Sequence, residues 1–235
     1  MKILYIYPHP DDESFGPAHV MAKQLHDGHA VYLLTLTKGG ATRQRFKYNY
    51  SIEEMGEVRY REMRCVEKTL GLSDMTVLDL PDSGLKEMDP RDIETVIRAE
   101  IERIQPQVVV TYAVHGISGF HDHLVSHAVV KRVFVEMREQ TDYLKRFAMV
   151  TLREEDAKNS PHFRLSGSKP EEIDCVITVS DEDIAKNLAA LDCYKTFQET
   201  IEKSGVKKMK APLSRFEIFQ EDHQPPLTDL FAGLL

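Results

Sequence analysis

The stretch Lys2-Ile3-Leu4-Tyr5-Ile6-Tyr7-Pro8-His9-Pro10-Asp11-Asp12-Glu13 carries both the fold and the place of its chemistry. Its first six residues are nearly all apolar, the pattern of a strand buried on both faces of a parallel sheet. At Pro8 the pattern gives way to a stiff, charged turn, which marks the strand's carboxyl end. Open α/β sheets bind their ligands beyond that end. One imidazole and three carboxylates stand there, a ligand set suited to zinc or another divalent first-row metal. A solvated acidic turn opening a helix accounts for the carboxylates, but it gives no reason for a histidine locked between two prolines.

Outward from this stretch, strand and helix patterns alternate. A helical segment stops at Gly28, Ala30 to Thr37 reads as the next strand, and Gly39-Gly40 breaks it. A helix from about Ile52 to Leu70 is closed by Gly71, and Met75 to Leu80 is a third strand. Asp89-Pro90 supplies a cap and a first-turn proline for a helix whose buried stripe is Ile93, Ile97, Ile101 and Ile104. Val108 to Ala113 reads as the fourth strand, Asp122 to Glu139 as a helix and Phe147 to Leu152 as a fifth strand. Arg153 to Glu172 is polar and reads as an extended surface loop. Asp174 to Val179 is again a strand, Ser180-Asp181-Glu182-Asp183 caps a helix reaching about Lys203, and Arg215 to Gln220 reads as an edge strand before the Pro225-Pro226 break. With no repeat and no linker, residues 1–235 read as a single Rossmann-like α/β domain, its mostly parallel sheet covered by helices on both faces.

The end of the fourth strand supplies a second polar cluster, Val114-His115-Gly116-Ile117-Ser118-Gly119-Phe120-His121-Asp122-His123. In the commonest doubly wound order strands one and four are neighbours, so the two clusters converge. His9, one carboxylate of Asp11-Asp12 and His123 would make three protein ligands with a position left for water, the form of a catalytic zinc site. Asp122 is placed to hydrogen-bond an imidazole and fix its tautomer. His127, four residues after His123, reads as a supporting or helix-surface residue; His19, His26, His29, His162 and His223 are isolated. Glu62 lies within the apolar face of the second helix, where Arg59, three residues away, is either its ion-pair partner or a group aimed at a substrate hydroxyl or carboxylate.

Composition narrows the partners. Thirty Lys and Arg against 38 Asp and Glu leave a net charge of −8, a field that repels nucleic acid and anionic lipid. No apolar run approaches the roughly 20 residues that span a bilayer, and the amino-terminal stretch lacks the form of a signal peptide, so the expectation is a cytoplasmic protein with neither membrane nor nucleic-acid partner. Oligomeric state is open, a homo-oligomer included. Cys65, Cys175 and Cys193 are odd in number, have no C-x-x-C spacing and read as reduced core residues.

His9-Pro10-Asp11-Asp12-Glu13 after a first strand resembles the signature of the LmbE-like, or PIG-L, de-N-acetylases, whose second motif is His-Pro-Asp-His. Arg59 and Glu62, Leu70-Gly71 and Asp82-Ser83-Gly84 extend the resemblance over about the first 135 residues, and Leu191-Asp192-Cys193-Tyr194 is similar to a later active-site segment. The resemblance implies that His9, Asp12 and His123 hold Zn2+ and that Asp11 is the general base. Glu13, Arg59, Asp82 and Tyr194 fall on its substrate side. The second motif departs from the family: Asp122 and His123 are kept, but Phe120 and His121 stand where His and Pro are usual. His121 is then the expected oxyanion donor from the neighbouring position, with His115 or Tyr194 as alternatives. The activity implied is zinc-dependent removal of an N-acetyl group from a small amino-sugar substrate. The bacterial thiol-pathway members point to an N-acetylglucosaminide such as N-acetylglucosaminyl-malate in bacillithiol biosynthesis. Two rival readings are a non-haem Fe(II) oxygenase, since two His and one carboxylate also spell its triad, and a metal-stabilised binding module without turnover.

Overall fold

The computed structural model describes residues 1–159, 164–209 and 211–234. Its sheet has seven strands, β1 (Lys2–Tyr7), β2 (Ala30–Thr37), β3 (Asp74–Leu80), β4 (Val108–Tyr112), β5 (Arg146–Thr151), β6 (Cys175–Thr178) and β7 (Leu213–Ile218), in the order β3-β2-β1-β4-β5-β7-β6. The first five are mutually parallel, and β7 runs antiparallel to both β5 and β6. Strands β1 and β4 are neighbours, with Ile3 opposite Val108 and Tyr5 opposite Val110, so the order reverses at β1 and the crevice opens there.

Successive side chains of a strand point to opposite faces, and β1 feeds two cores accordingly. Ile3, Tyr5 and Tyr7 join one apolar cluster while Leu4 and Ile6 join the other. On the first face lie α2 (Ala18–His26), α3 (Ile52–Leu70) and α7 (Asp181–Cys193); on the second lie α4 (Pro90–Ile104) and α5 (His121–Arg138). Ile93, Ile97, Ile101 and Ile104 of α4 are all buried, each contributing roughly 1.5–3 kcal/mol by leaving water. Short helices complete the set: α1 (Asp12–Phe15), α6 (Glu154–Lys158), α8 (Gln198–Ser204) and α9 (Val206–Met209). No helix among the described residues is long and apolar enough to cross a membrane.

Four expectations are corrected. The carboxyl-terminal strand is not an edge: β7 lies between β5 and β6, and β6 closes the sheet on that side, because the chain returns antiparallel and spends both rows of its backbone hydrogen bonds. The helix begun at Ser180 stops at Cys193, since Tyr194 leaves helical backbone with ψ 70 to put its phenol into the site, and the chain resumes as α8. The loop after β5 contains α6 and a bridge from Arg153 to Ser168; the reading of His162 falls outside the described residues. Finally, Cys65 and Cys193 are not reduced core residues. They form a disulfide between α3 and α7, with Cα atoms 5.7 Å apart, while Cys175 is free and buried as expected. Packing of two helices 128 residues apart in sequence created the pair, which no local spacing could announce.

Candidate metal centre

The turn after β1 separates the two adjacent aspartates. Asp11 takes a left-handed conformation, φ 85, immediately before α1, unusual for a residue other than glycine. That twist lets Asp12 fold back to accept from the His9 backbone N–H at 2.9 Å and sends the Asp11 carboxylate the other way. Across the crevice, His123 stands in the first turn of α5 after the Ala113–Gly119 turn. Its Nδ1–H donates to the Gly116 carbonyl at 3.0 Å, which leaves Nε2 as the nitrogen that can offer a lone pair to a metal ion. Gly116 is required there: its φ is +62, and a Cβ would sit 2.9 Å from the His123 Cβ.

His9, Asp12 and His123 thereby converge, their candidate ligand atoms all within 4.8 Å of one another. His123 Nε2 lies 3.3 Å from Asp12 Oδ1, and His9 Nδ1 3.5 Å from Asp12 Oδ2. Ligands of a tetrahedral ion with bonds of about 2.0–2.1 Å stand about 3.3 Å apart, so the donor set fits a divalent first-row cation. A lone-pair nitrogen facing a carboxylate oxygen at these separations also calls for a cation between them, a proton or a metal ion. Burial opposes charge on Asp12, yet His123 and His9 outweigh it and hold the carboxyl far below its usual range. Burial likewise opposes charge on His9, and the carboxylates of Asp12, Asp122 and Asp82 overcome it, raising the imidazole to about 10. The His9 Nε2 is 3.1 Å from Asp122 Oδ2 and 3.5 Å from Asp82 Oδ1. Asp122 is fixed in turn by the Ser83 N–H at 2.8 Å, and Asp82 by the Ala41 N–H at 2.7 Å.

On the other side of the turn, Asp11 accepts from Arg59 Nη2 at 2.9 Å. The guanidinium is buried, also donates to the Pro10 carbonyl at 2.7 Å, and lies 4.1 Å over the Phe197 ring. Burial raises Asp11 to about 6, with Arg59 pulling it down and Asp12 pushing it up. Tyr194 ties the same turn: its phenol accepts from the Asp11 N–H at 2.9 Å and donates to Glu13 at 2.6 Å. Glu13 is fully buried, and burial raises it to about 7 against the donors Ser14 and Tyr194. The alternative pairing of Arg59 with Glu62 is not what forms. Glu62 accepts instead from the backbone N–H and hydroxyl of Thr196, at 2.7 and 2.9 Å.

The structure brings nine of the ten candidate residues to one turn in two bonded groups, His9, Asp12, Asp82, Asp122 and His123 on one side and Asp11, Glu13, Arg59 and Tyr194 on the other. His121 is the exception: it opens α5, is exposed, and among the described residues makes no side-chain hydrogen bond or ion pair. His115 turns from the centre, as its bonds below show, and His127 donates to the Tyr112 carbonyl at 2.9 Å from beneath the site. His19, which read as isolated, is buried and bonded to Asn187 and Ser214. Tyr112 was missed. Its ring stacks on that of His123 with centroids 4.2 Å apart, yet in sequence it is only one residue of the apolar fourth strand.

The sequence profile of the GlcNAc-PI de-N-acetylases (PIG-L) matches residues 4–134, more than half of the chain, and the chain belongs to that family. It is 35% identical over 152 residues to a 1D-myo-inositol 2-acetamido-2-deoxy-alpha-D-glucopyranoside deacetylase of Thermomonospora curvata, covering 56% of this chain and 51% of that protein. A probable N-acetyl-alpha-D-glucosaminyl L-malate deacetylase 2 of Bacillus subtilis is 27% identical over 155 residues, covering 65% and 70%. The chain spans about half the length of several of the inositol-glucosaminide deacetylases it matches, and 98% of that of Mycobacteroides abscessus at 24% identity. Among solved structures, a 4-carboxy-2-hydroxymuconate hydratase from Pseudomonas putida KT2440 superposes with a TM-score of 0.71 at 12% identity, covering 94% of this chain and 96% of that one. That likeness concerns the fold alone.

Proposed function

We propose that the protein, as one domain over residues 1–235, is a metal-dependent hydrolase that removes the N-acetyl group of an amino sugar. The observation that carries this reading is the division of labour between Asp11 and Asp12. Asp12 faces both imidazoles, while Asp11 leaves a second, partly buried carboxylate beside the three candidate ligands. A binding module or a purely structural site has no use for that group; a hydrolase needs it as a base.

His9, Asp12 and His123 would hold the ion, which we take to be zinc. When bound, such an ion polarises the acetamide carbonyl and acidifies a water. Asp11 accepts the proton of the attacking water and returns it to the departing amine, one group acting first as base and then as acid. Arg59 holds the Asp11 carboxylate in place from behind, and Tyr194 fixes the backbone at the same residue. Asp122, and Asp82 beside it, face Nε2 of His9 and so direct Nδ1 toward the ion. For the oxyanion we keep His121, which is exposed and outside both bonded groups but opens α5 two residues before His123, over Tyr194: the phenol's one proton is committed to Glu13, whereas the His121 side chain has no competing partner among the described residues. His115 drops out, because both of its ring nitrogens are engaged elsewhere.

For the substrate we propose N-acetylglucosaminyl-malate, on the strength of the Bacillus subtilis relative, and for the compartment the cytoplasm of a bacillithiol producer. The disulfide bears on the compartment, since cytoplasmic thiols keep most such pairs reduced; thiol trapping in cell extracts reads the state directly. The test of function is release of acetate and free amine from malate and inositol N-acetylglucosaminides by zinc-loaded and metal-free protein. We expect stoichiometric acetate and amine from the malate glycoside with the loaded protein only. Product formation that consumes oxygen, or tight metal binding without acetate release, would replace this reading by the oxygenase or the binding module.

A further inference from the structure

A line of side chains outside the site runs from β7 to the turn that holds His123. Glu217 on β7 accepts from the Ser168 hydroxyl. The Ser168 and Thr151 hydroxyls are 2.5 Å apart, and both are buried. His115 Nε2 lies 3.3 Å from Thr151 Oγ1 and 3.4 Å from Ser168 Oγ. At the far end, the Ile117 N–H donates to His115 Nδ1 at 3.1 Å. A backbone N–H only donates and a carboxylate only accepts, which fixes the two ends: Nδ1 is bare, so the neutral ring's Nε2–H donates to a hydroxyl, and Ser168 donates to Glu217, while the Thr151 hydroxyl has both Ser168 and the Leu152 carbonyl, at 3.1 Å, as acceptors. His115 is thereby a neutral imidazole of one tautomer, and burial favours the same neutral form.

The turn it anchors needs an anchor. Gly116 and Ile117 both lie in the left-handed region, at φ 62 and 55, which for a β-branched residue is strained. The Ser166 N–H steadies the Ile117 carbonyl at 2.8 Å, and the carbonyl between His115 and Ile117, that of Gly116, accepts from His123 Nδ1. We propose that His115 is a positioning residue: by holding the Ile117 N–H it aims the Gly116 carbonyl, and so the tautomer and orientation of His123, at the metal centre. This rests on His123 being a ligand. Nothing in the spacing of His115 from the motif announces it, because the chain of bonds crosses β5, the loop before β6, and β7.

The test is zinc affinity by chelator competition, with the tautomer of His123 read from imidazole 15N shifts and folding followed by thermal midpoint. His115→Ala should weaken zinc binding about 10–100-fold, as loss of an outer partner of a ligand does, and should mix the His123 tautomers. His115→Asn keeps an acceptor for the N–H two residues on and should restore affinity to within about threefold of wild type. Should His115→Ala not fold, Thr151→Val, which takes away one hydroxyl beside Nε2, should still weaken zinc binding severalfold. His123→Ala separates the two layers of the argument: if it binds zinc like wild type, the ligand reading fails and this inference with it. If His123→Ala loses zinc while His115→Ala and Thr151→Val bind as wild type, or if His115→Asn is as weak as His115→Ala, the ligand reading stands and His115 is not its positioning residue.

Discussion

Asp11 and Asp12 are neighbours in sequence and face opposite partners, Arg59 and the two imidazoles, because one left-handed residue turns their side chains apart. Replacing Asp11 with Asn nearly preserves size and removes the proton acceptor, so zinc content should stay and kcat should fall about 10²-fold or more. His9→Ala or His123→Ala should instead strip the metal, measured as zinc per chain after gel filtration. The His9 imidazole, held at about 10 by its three carboxylates, is protonated in the metal-free protein at neutral pH. A ligand must shed that proton to bind, so zinc affinity should rise with pH up to about 10, and calorimetry in buffers of different ionisation enthalpy should record a proton released at pH 7. An affinity flat across that range would place the proton elsewhere. His121→Ala should lower kcat about 10²-fold at unchanged zinc content if it steadies the oxyanion; Tyr194→Phe showing that pattern alone would transfer the role.

Between β2 and α3 the sequence shows Gly39-Gly40 as a break, and so it is, but the structure gives each glycine a further reason. A Cβ on Gly39, at φ +66, would lie 2.8 Å from Arg59 Nε and 2.9 Å from Pro10 Cδ; one on Gly40 would lie 2.2 Å from the Ile52 carbonyl at the start of α3. Gly39→Ala should therefore cost about 1–2 kcal/mol in backbone strain and reduce kcat by more than the stability loss explains, since Arg59 is pushed from Asp11. Helix α3 was legible from its apolar stripe and Gly71, and the structure adds a capping box at Ser51 and Glu54. The roles of Arg59 and Glu62 on that helix were not, because both partners, Asp11 and Thr196, come from other parts of the chain. For the same reason the break at Tyr194 was invisible: helix propensity continues through it, and only the bonds to Glu13 and Asp11 draw the residue out of the helix.

Across the whole molecule, α3 and α7 bring Arg59 and Tyr194 to either side of Asp11, and Cys65–Cys193 staples those helices together. Closing so long a loop typically contributes roughly 2–4 kcal/mol, so reduction should lower the thermal midpoint by about 5–15 °C; an unchanged midpoint would mean that helix packing alone holds the pair. The alternation of apolar strands with periodic helices determined the parallel sheet, and strand order placed the ends of β1 and β4 together, so His9, the aspartate pair and His123 were legible as one centre from sequence alone. Those signals are local, written every second or every third to fourth residue. Which aspartate faces the imidazoles was left open by the spacing and implied only by the family resemblance, and which residue Arg59 pairs with, the place of β7 inside the sheet and the union of Cys65 with Cys193 were decided by the tertiary structure. Each depends on a backbone angle or a contact between segments far apart in the chain, and burial in the folded state, not spacing, selects the partner.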